Sequence, residues 1–206
     1  MTVPPTVWDQ VSAHYDRQLF LERGAVRCAL ALLAPRDGER ILDVGTGTGE
    51  VLRQLARHPG RLRATGVDQS AAMLARVPEL PAGWSVRVAD ARRLPFADGA
   101  FDAATAAYLL QVLPVLNVSG VVGELLRVLR PGGRLVTVTP AIPPRGPLRL
   151  LGSALDGVAR RRPSRYGGLR ALDPRAALEQ AGFEIAAMRR SQRGYLSLCI
   201  LARRPG

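Results

Sequence analysis

The chain has 206 residues, 47% of them hydrophobic and 22% charged, which suits one globular domain with a substantial core. Its net charge is +12, and every basic residue is arginine; with no lysine and one asparagine, Asn117, this reads as codon bias in a GC-rich genome and favours acidic partners only weakly. No apolar run reaches the roughly 18 residues of a membrane helix, and Met1 to Trp8 lacks the basic-then-apolar order of a signal peptide, so a cytoplasmic protein is expected.

The spacing predicts a helix over Thr6–Arg17, with Trp8, Val11 and Tyr15 on one face. A second follows over Phe20–Ala34, with Leu21, Ala25, Cys28 and Leu32 as its stripe, ended by Pro35 and Gly38. Cys28 and Cys199 each lie in an apolar pattern and read as core residues. There is no CxxC or HxxxH spacing, and His14 and His58 are far apart, so neither a disulfide nor a metal site is expected.

Ile41, Leu42 and Val44 form an apolar run of the kind buried on both faces of a parallel sheet, with Asp43 near its C-terminal end. Gly45, Gly47 and Gly49 follow at alternate positions, where a missing Cβ lets the backbone approach a ligand. Val51, Leu52, Leu55 and Ala56 then share one helical face. Strand, glycine turn and helix N-terminus make a ligand cradle of the dinucleotide-binding kind; the plainer reading is a turn that only packs a helix on a strand. A dinucleotide fingerprint wants a glycine at position 50, which is Glu50.

Leu62–Val67 reads as a second strand. Asp68 stands about twenty residues past Gly49, the separation of an acid that reaches ribose hydroxyls, or it simply caps the next helix. Ser70 is a good cap for that helix, which carries Met73 and Leu74. Trp84–Ala89 is a third strand, followed by Asp90-Ala91, and a fourth opens at Phe101 with Ala106-Ala107-Tyr108 as its tip. Glu124–Leu129 reads as a helix stopped by Arg130-Pro131-Gly132-Gly133, which feeds a fifth strand over Arg134–Thr139. The pattern loosens from Pro140 to Leu172, where Leu148, Leu150, Leu151, Leu155 and Val158 suit a short apolar helix and Arg160, Arg161, Arg162 and Arg165 follow. Asp173-Pro174 starts a helix that ends at Gln180, before Gly182, and Phe183–Arg189 with Tyr195–Ala202 read as an antiparallel hairpin. Alternating strands and helices imply a mostly parallel sheet covered on both faces, with ligands at the strands' C-terminal ends. Asp43, Asp68, Asp90 and Ala106 stand at four successive ends of this kind.

Asp43-x-Gly45-x-Gly47-x-Gly49 resembles motif I of the class I S-adenosylmethionine-dependent methyltransferases. The string from Glu124 to Leu135, Glu-Leu-Leu-Arg-Val-Leu-Arg-Pro-Gly-Gly-Arg-Leu, is the next most similar piece, and the small-molecule branch of ubiquinone and menaquinone biosynthesis is the nearest type. The resemblance implies a Rossmann-like, doubly wound, mostly parallel seven-stranded sheet with helices on both faces and a C-terminal antiparallel hairpin. It implies one domain over 1–206, with helices in 1–38 covering the site and 140–172 as an acceptor lid. The implied cofactor is S-adenosylmethionine, held by Tyr15, Asp43, Gly45, Thr46, Gly47, Gly49, Asp68, Gln69, Met73, Asp90, Ala91 and Ala106. Asp43 would accept the ammonium directly or through water, Asp68 would take two ribose hydroxyls, and Asp90 the adenine amine. Tyr15 belongs to a Tyr15-Asp16 pair in the covering helix, where core packing with Trp8 and Val11 is the plainer role.

Methyl transfer is an in-line displacement at a sulfonium carbon, so positioning and exclusion of water supply most of the rate. A base matters only for an acceptor that keeps its proton near neutral pH. Relatives often carry histidine where Gln111 stands; glutamine cannot be a base, which leaves Tyr108 and His14 as candidates, both plainer as packing or solvent-facing residues. The expected acceptor contacts are Tyr108, Gln111, Arg145 and Leu148. No Asn/Asp-Pro-Pro-Tyr follows the fourth strand, no acid occurs from Ala103 to Asn117, and no RNA-binding domain is appended. These absences leave a small molecule, methylated on oxygen, carbon or nitrogen, ahead of nucleic acid. The alternatives are a cofactor-binding protein with another activity, or an RNA or lipid methyltransferase whose arginine-rich segment touches a polyanion or membrane surface.

Overall fold

The computed structural model describes residues 20–142, 156–157, 170–192 and 196–206. The helix expected over Thr6–Arg17, with His14 and Tyr15, lies outside the described residues, as do Arg145, Leu148 and the arginines from 160 to 165.

A helix over 20–33, α1, precedes strand β1, Arg40–Val44. Its buried stripe is Ala25, Val26, Ala29 and Leu33, while Cys28 and Leu32 are half-buried, so the inward face is turned by about one residue from the expected one. Then come α2, Glu50–Leu55, β2, Arg63–Asp68, the single turn α3, Ala71–Leu74, and β3, Ser85–Val88. β4 is Phe101–Ala107, α4 is Val115–Val128 and β5 is Leu129–Pro140. α5, Arg175–Gln180, leads into the hairpin of β6, Glu184–Ser191, and β7, Ser197–Arg203.

The strands form one sheet in the order β3-β2-β1-β4-β5-β7-β6. The first five pair in parallel, and β7 inserts antiparallel between β5 and β6. Alternation along each strand splits the core in two. Leu42, Val44, Ala104, Leu135 and Ile200 face Leu125 of α4 and Leu178 of α5. Ile41, Ala103, Val136, Cys199 and Leu201 face Ala25 and Leu33 of α1 and Leu52 and Leu55 of α2. Cys28 and Cys199 are free thiols, and burial pushes the Cys199 thiol up to about 12. Beneath α1, Arg134 donates to both Glu39 oxygens at 2.7 and 2.9 Å and to Leu33 O at 3.1 Å, a buried ion pair that ties α1 to β1 and β5.

Two expected boundaries differ. α4 begins nine residues before Glu124, because Val118, Val121, Val122, Leu125 and Val128 form one buried stripe. Leu129 is not its last residue; it is extended and pairs with Phe101 in β5. Pro131-Gly132-Gly133 is an irregularity inside that strand rather than a turn before it, since pairing resumes at Ala103–Arg134. Among the described residues, no helix is long and apolar enough to cross a membrane.

Candidate functional site

The C-terminal ends of β1, β2 and β4, with the residues after β3, open onto one cleft holding about 820 Å³ free of protein atoms, part of it open solvent. Its floor is the turn after β1. Gly45 and Thr46 both donate to Val67 O, at 2.8 and 3.0 Å, and Gly49 donates to Thr46 O at 2.8 Å. Gly45, at φ 74°, must be glycine on two grounds: its backbone is left-handed, and a Cβ there would stand 3.0 Å from Leu109 Cδ1. Gly66 is needed for space alone, since a Cβ would meet Thr46 Oγ1 and Leu52 Cδ1 at 2.9 Å.

Asp68 lies at the tip of β2, while the cap of α3 is Ser70, whose hydroxyl accepts from Met73 N–H at 3.1 Å. Asp68 Oδ1 accepts from Ser70 N–H and its Oδ2 from Gly47 N–H, each at 2.9 Å, and the residue also lines the cleft. Those bonds fix the carboxylate beside the cleft, and a carboxylate's two oxygens can accept from a vicinal diol. Gln69 and Met73 line the same side. Asp90 and Ala91 follow from β3. Arg92 chelates Asp90, with Nη2 at 2.6 Å and Nε at 2.9 and 3.0 Å, and these bonds hold the Asp90 carboxyl below its ordinary value. Both side chains are about half exposed, so the pair is a weak one that an amine ligand can share.

Asp43 does not line the cleft. It is 1% exposed beneath the glycine turn, accepting from Thr46 Oγ1 at 2.6 Å and Thr105 Oγ1 at 2.5 Å. Burial raises its carboxyl to about 6 against those two bonds, with a smaller push from the charge of Asp68. Thr46 and Gly49 are buried with it. Ala106 falls on the core face beside α4, and Ala107, of opposite parity, lines the cleft in its place.

The far wall is Ala107, Tyr108, Leu109, Val112 and Leu113. Among these, Tyr108 has a hydroxyl, which is 2.7 Å from Ser197 Oγ. Tyr108 has φ 55°, a conformation that costs on the order of 1–3 kcal/mol for a bulky residue. Gln111, expected at the acceptor, is instead 2% exposed, its Nε2 donating to Tyr108 O at 2.8 Å. Val44, Val67, Ala89 and Arg92 also line the cleft and were not expected. The apolar run after Tyr108 was the legible signal for Leu109, Val112 and Leu113.

The cleft thus joins a polar half to an apolar half. The polar half fits S-adenosylmethionine: a left-handed glycine turn as its floor, the Asp68 carboxylate that can take a diol, and a second acid, Asp90, that can take an amine. A family model described as a methyltransferase domain matches residues 41–133, which span β1 to the first part of β5. The chain is 37% identical over 153 residues to a demethylmenaquinone methyltransferase of Beutenbergia cavernae, covering 70% of this chain and 61% of that one. It is 41% identical over 106 residues to a ubiquinone/menaquinone biosynthesis C-methyltransferase of Desulfotalea psychrophila, covering 50% and 42%. The chain therefore spans under two thirds of the length of either relative. In fold it is similar to an S-adenosylmethionine-dependent methyltransferase of Thermotoga maritima, with TM-score 0.71 and 18% identity over 97% of this chain and 99% of that one. The matched segment carries the glycine cradle and the acid-tipped strands around it, so residues 41–133 are those of a methyltransferase domain.

Proposed function

We propose that this chain transfers the methyl group of S-adenosylmethionine to an apolar aromatic small molecule of the hydroquinone class. The observation that carries the reading is the apolar wall of Ala107, Leu109, Val112 and Leu113, continuous with the polar half of the cleft. The names of the two relatives support the quinone class.

The cofactor supplies an electrophilic methyl on a sulfonium. The residues of the chain hold the two reactants in line and exclude water. Asp68 fixes one end by its carboxylate, and the glycine turn shapes the floor. Among the described residues of the acceptor side the wall carries no carboxylate or histidine, and the acceptor in this reading brings its own nucleophile. A hydroquinone does: its oxygens enrich the adjacent ring carbon, a C–C bond forms as the C–S bond breaks with its electrons going to sulfur, and the ring proton leaves to water. In the same reading the reaction runs in the cytoplasm.

The test is turnover. With S-adenosylmethionine and chemically reduced demethylmenaquinone, mass spectrometry should find the methylated quinone and S-adenosylhomocysteine in equal amounts. Cofactor binding without methylation of any hydroquinone, or transfer to a water-soluble amine instead, overturns the assignment of the acceptor.

A further inference from the structure

A second hollow lies at the opposite end of the sheet. The N-terminal ends of β1 and β2, the loop from α2 to β2 and the loop before β3 frame a groove of about 800 Å³, open to solvent. Asp37, Arg40, His58, Arg61, Arg63 and Trp84 are among its lining residues. The cleft described above lies at the strands' C-terminal ends, where open α/β sheets take their ligands, so the groove is no part of it.

Its charge is unbalanced. Arg40 and Arg63 stand directly across from each other on neighbouring strands, and like charges so placed repel. Arg40 has a counter-ion in Asp102 at 3.6 Å, but Arg130 Nε also donates to that carboxylate, at 2.8 Å. The Asp37 carboxylate accepts from the backbone N–H of Arg61, not from a side chain. Among the described residues, the guanidiniums of Arg61 and Arg63 make no hydrogen bond and no ion pair. Four guanidiniums therefore share two carboxylates, and two positive charges are left over.

The loop that presents them is tightly made. Gly38 N–H donates to Arg61 O at 2.8 Å, and Gly60 N–H donates to His58 Nδ1 at 3.0 Å. A Cβ on Gly60 would stand 3.0 Å from His58 Cε1 and 3.1 Å from Asp37 Oδ1, so the close approach needs glycine. An Nδ1 that accepts carries no proton, which leaves Nε2–H as the ring's donor. Trp84 Nε1 donates to Leu62 O at 2.7 Å, and that bond fixes the indole beside the arginines.

We propose that this groove binds the phosphate of a small phosphomonoester, with Arg61 and Arg63 on its oxygens and His58 Nε2–H as a further donor. A phosphomonoester carries about −1.5 to −2 charges at pH 7, which offsets the two left over. A guanidinium fork matches two phosphate oxygens at once. The groove is of a size that takes small organic ligands, and Trp84 gives the organic part a fixed aromatic wall. The site does not depend on which acceptor the cleft takes.

The test is titration calorimetry with phenyl phosphate at physiological salt, on protein kept saturated with S-adenosylhomocysteine so that the cleft is filled. Phenyl sulfate, of similar shape and lower charge, is the reference. Phenyl phosphate should bind one equivalent, at least about tenfold more tightly than phenyl sulfate. Arg61→Gln and Arg63→Gln should each weaken it at least about tenfold, the loss expected for one hydrogen bond to a charged group. Arg57→Gln should change nothing, since Arg57 is exposed on the same loop but does not line the groove. S-adenosylhomocysteine affinity should be the same in all three variants. No heat with phenyl phosphate, or an equal loss in Arg57→Gln, overturns the proposal, because the arginines then act only as a general positive field. Binding seen only when S-adenosylhomocysteine is left out overturns it as well, because the phosphate then sits in the cleft.

Discussion

Replacing Asp43 with asparagine tests the electrostatics beneath the cradle. The Asp43 carboxyl is fully buried and raised from 3.8 to about 6, chiefly by desolvation. An acid raised by folding binds its proton more tightly in the folded state, so stability falls as pH climbs between those two values. Below pH 3.8 both states are protonated and nothing is lost; above about pH 6 the whole penalty is present. A shift of about two units corresponds to about 3 kcal/mol. Asparagine keeps the shape and can pair with the Thr46 and Thr105 hydroxyls without a charge to bury. Urea unfolding of parent and Asp43→Asn from pH 4 to 8 should therefore show a difference near zero at pH 4 that grows to about 3 kcal/mol in favour of the variant by pH 7. At neutral pH the variant's melting temperature should be roughly 6–12 °C higher. The gain should come with weaker cofactor binding, since a buried negative charge under the cradle favours a ligand ammonium. A variant no more stable than the parent at pH 8, or a difference independent of pH, would refute the reasoning.

Asp68→Ala should lose most cofactor affinity with the fold intact, at about 1.5–3 kcal/mol per hydrogen bond to the carboxylate, and Asp68→Asn should recover part of it; calorimetry of both variants measures this. Arg134→Met should destabilise the protein by about 3–5 kcal/mol, because it strands the buried Glu39 carboxylate, and adding Glu39→Gln should recover much of that loss in urea unfolding.

The strands were legible because apolar runs such as Ile41–Val44 and Arg134–Thr139 admit few other readings in a chain of this composition. α4 was legible only in its last turn. Apart from Leu116, its first half is valine, asparagine, serine and glycine, residues of low helix propensity, and burial of Val118 and Val121 against the sheet overrides that preference. The site divides similarly. Asp68 and Asp90 announce themselves as acids at strand tips, and both stand in the cleft. Asp43 carries the same signature, yet Thr105 lies far off in the sequence, and only pairing of β1 with β4 brings its hydroxyl to the carboxylate. The choice between Ala106 and Ala107 turns on where β4 ends, and a one-residue slip reverses which face a side chain takes. The hold of Ser197 on Tyr108 spans 89 residues, across the hairpin that closes the sheet, and no local pattern encodes it.

The central claim is that the cleft at the tips of β1, β2 and β4 takes S-adenosylmethionine, and isothermal titration calorimetry with S-adenosylhomocysteine tests it most directly. The parent should bind one equivalent per chain, Asp68→Ala should bind at least about tenfold more weakly, and NAD should give no heat, because Glu50 stands where its fingerprint needs glycine. Heat with NAD and none with S-adenosylhomocysteine, or equal S-adenosylhomocysteine affinity in the parent and Asp68→Ala, would contradict the account.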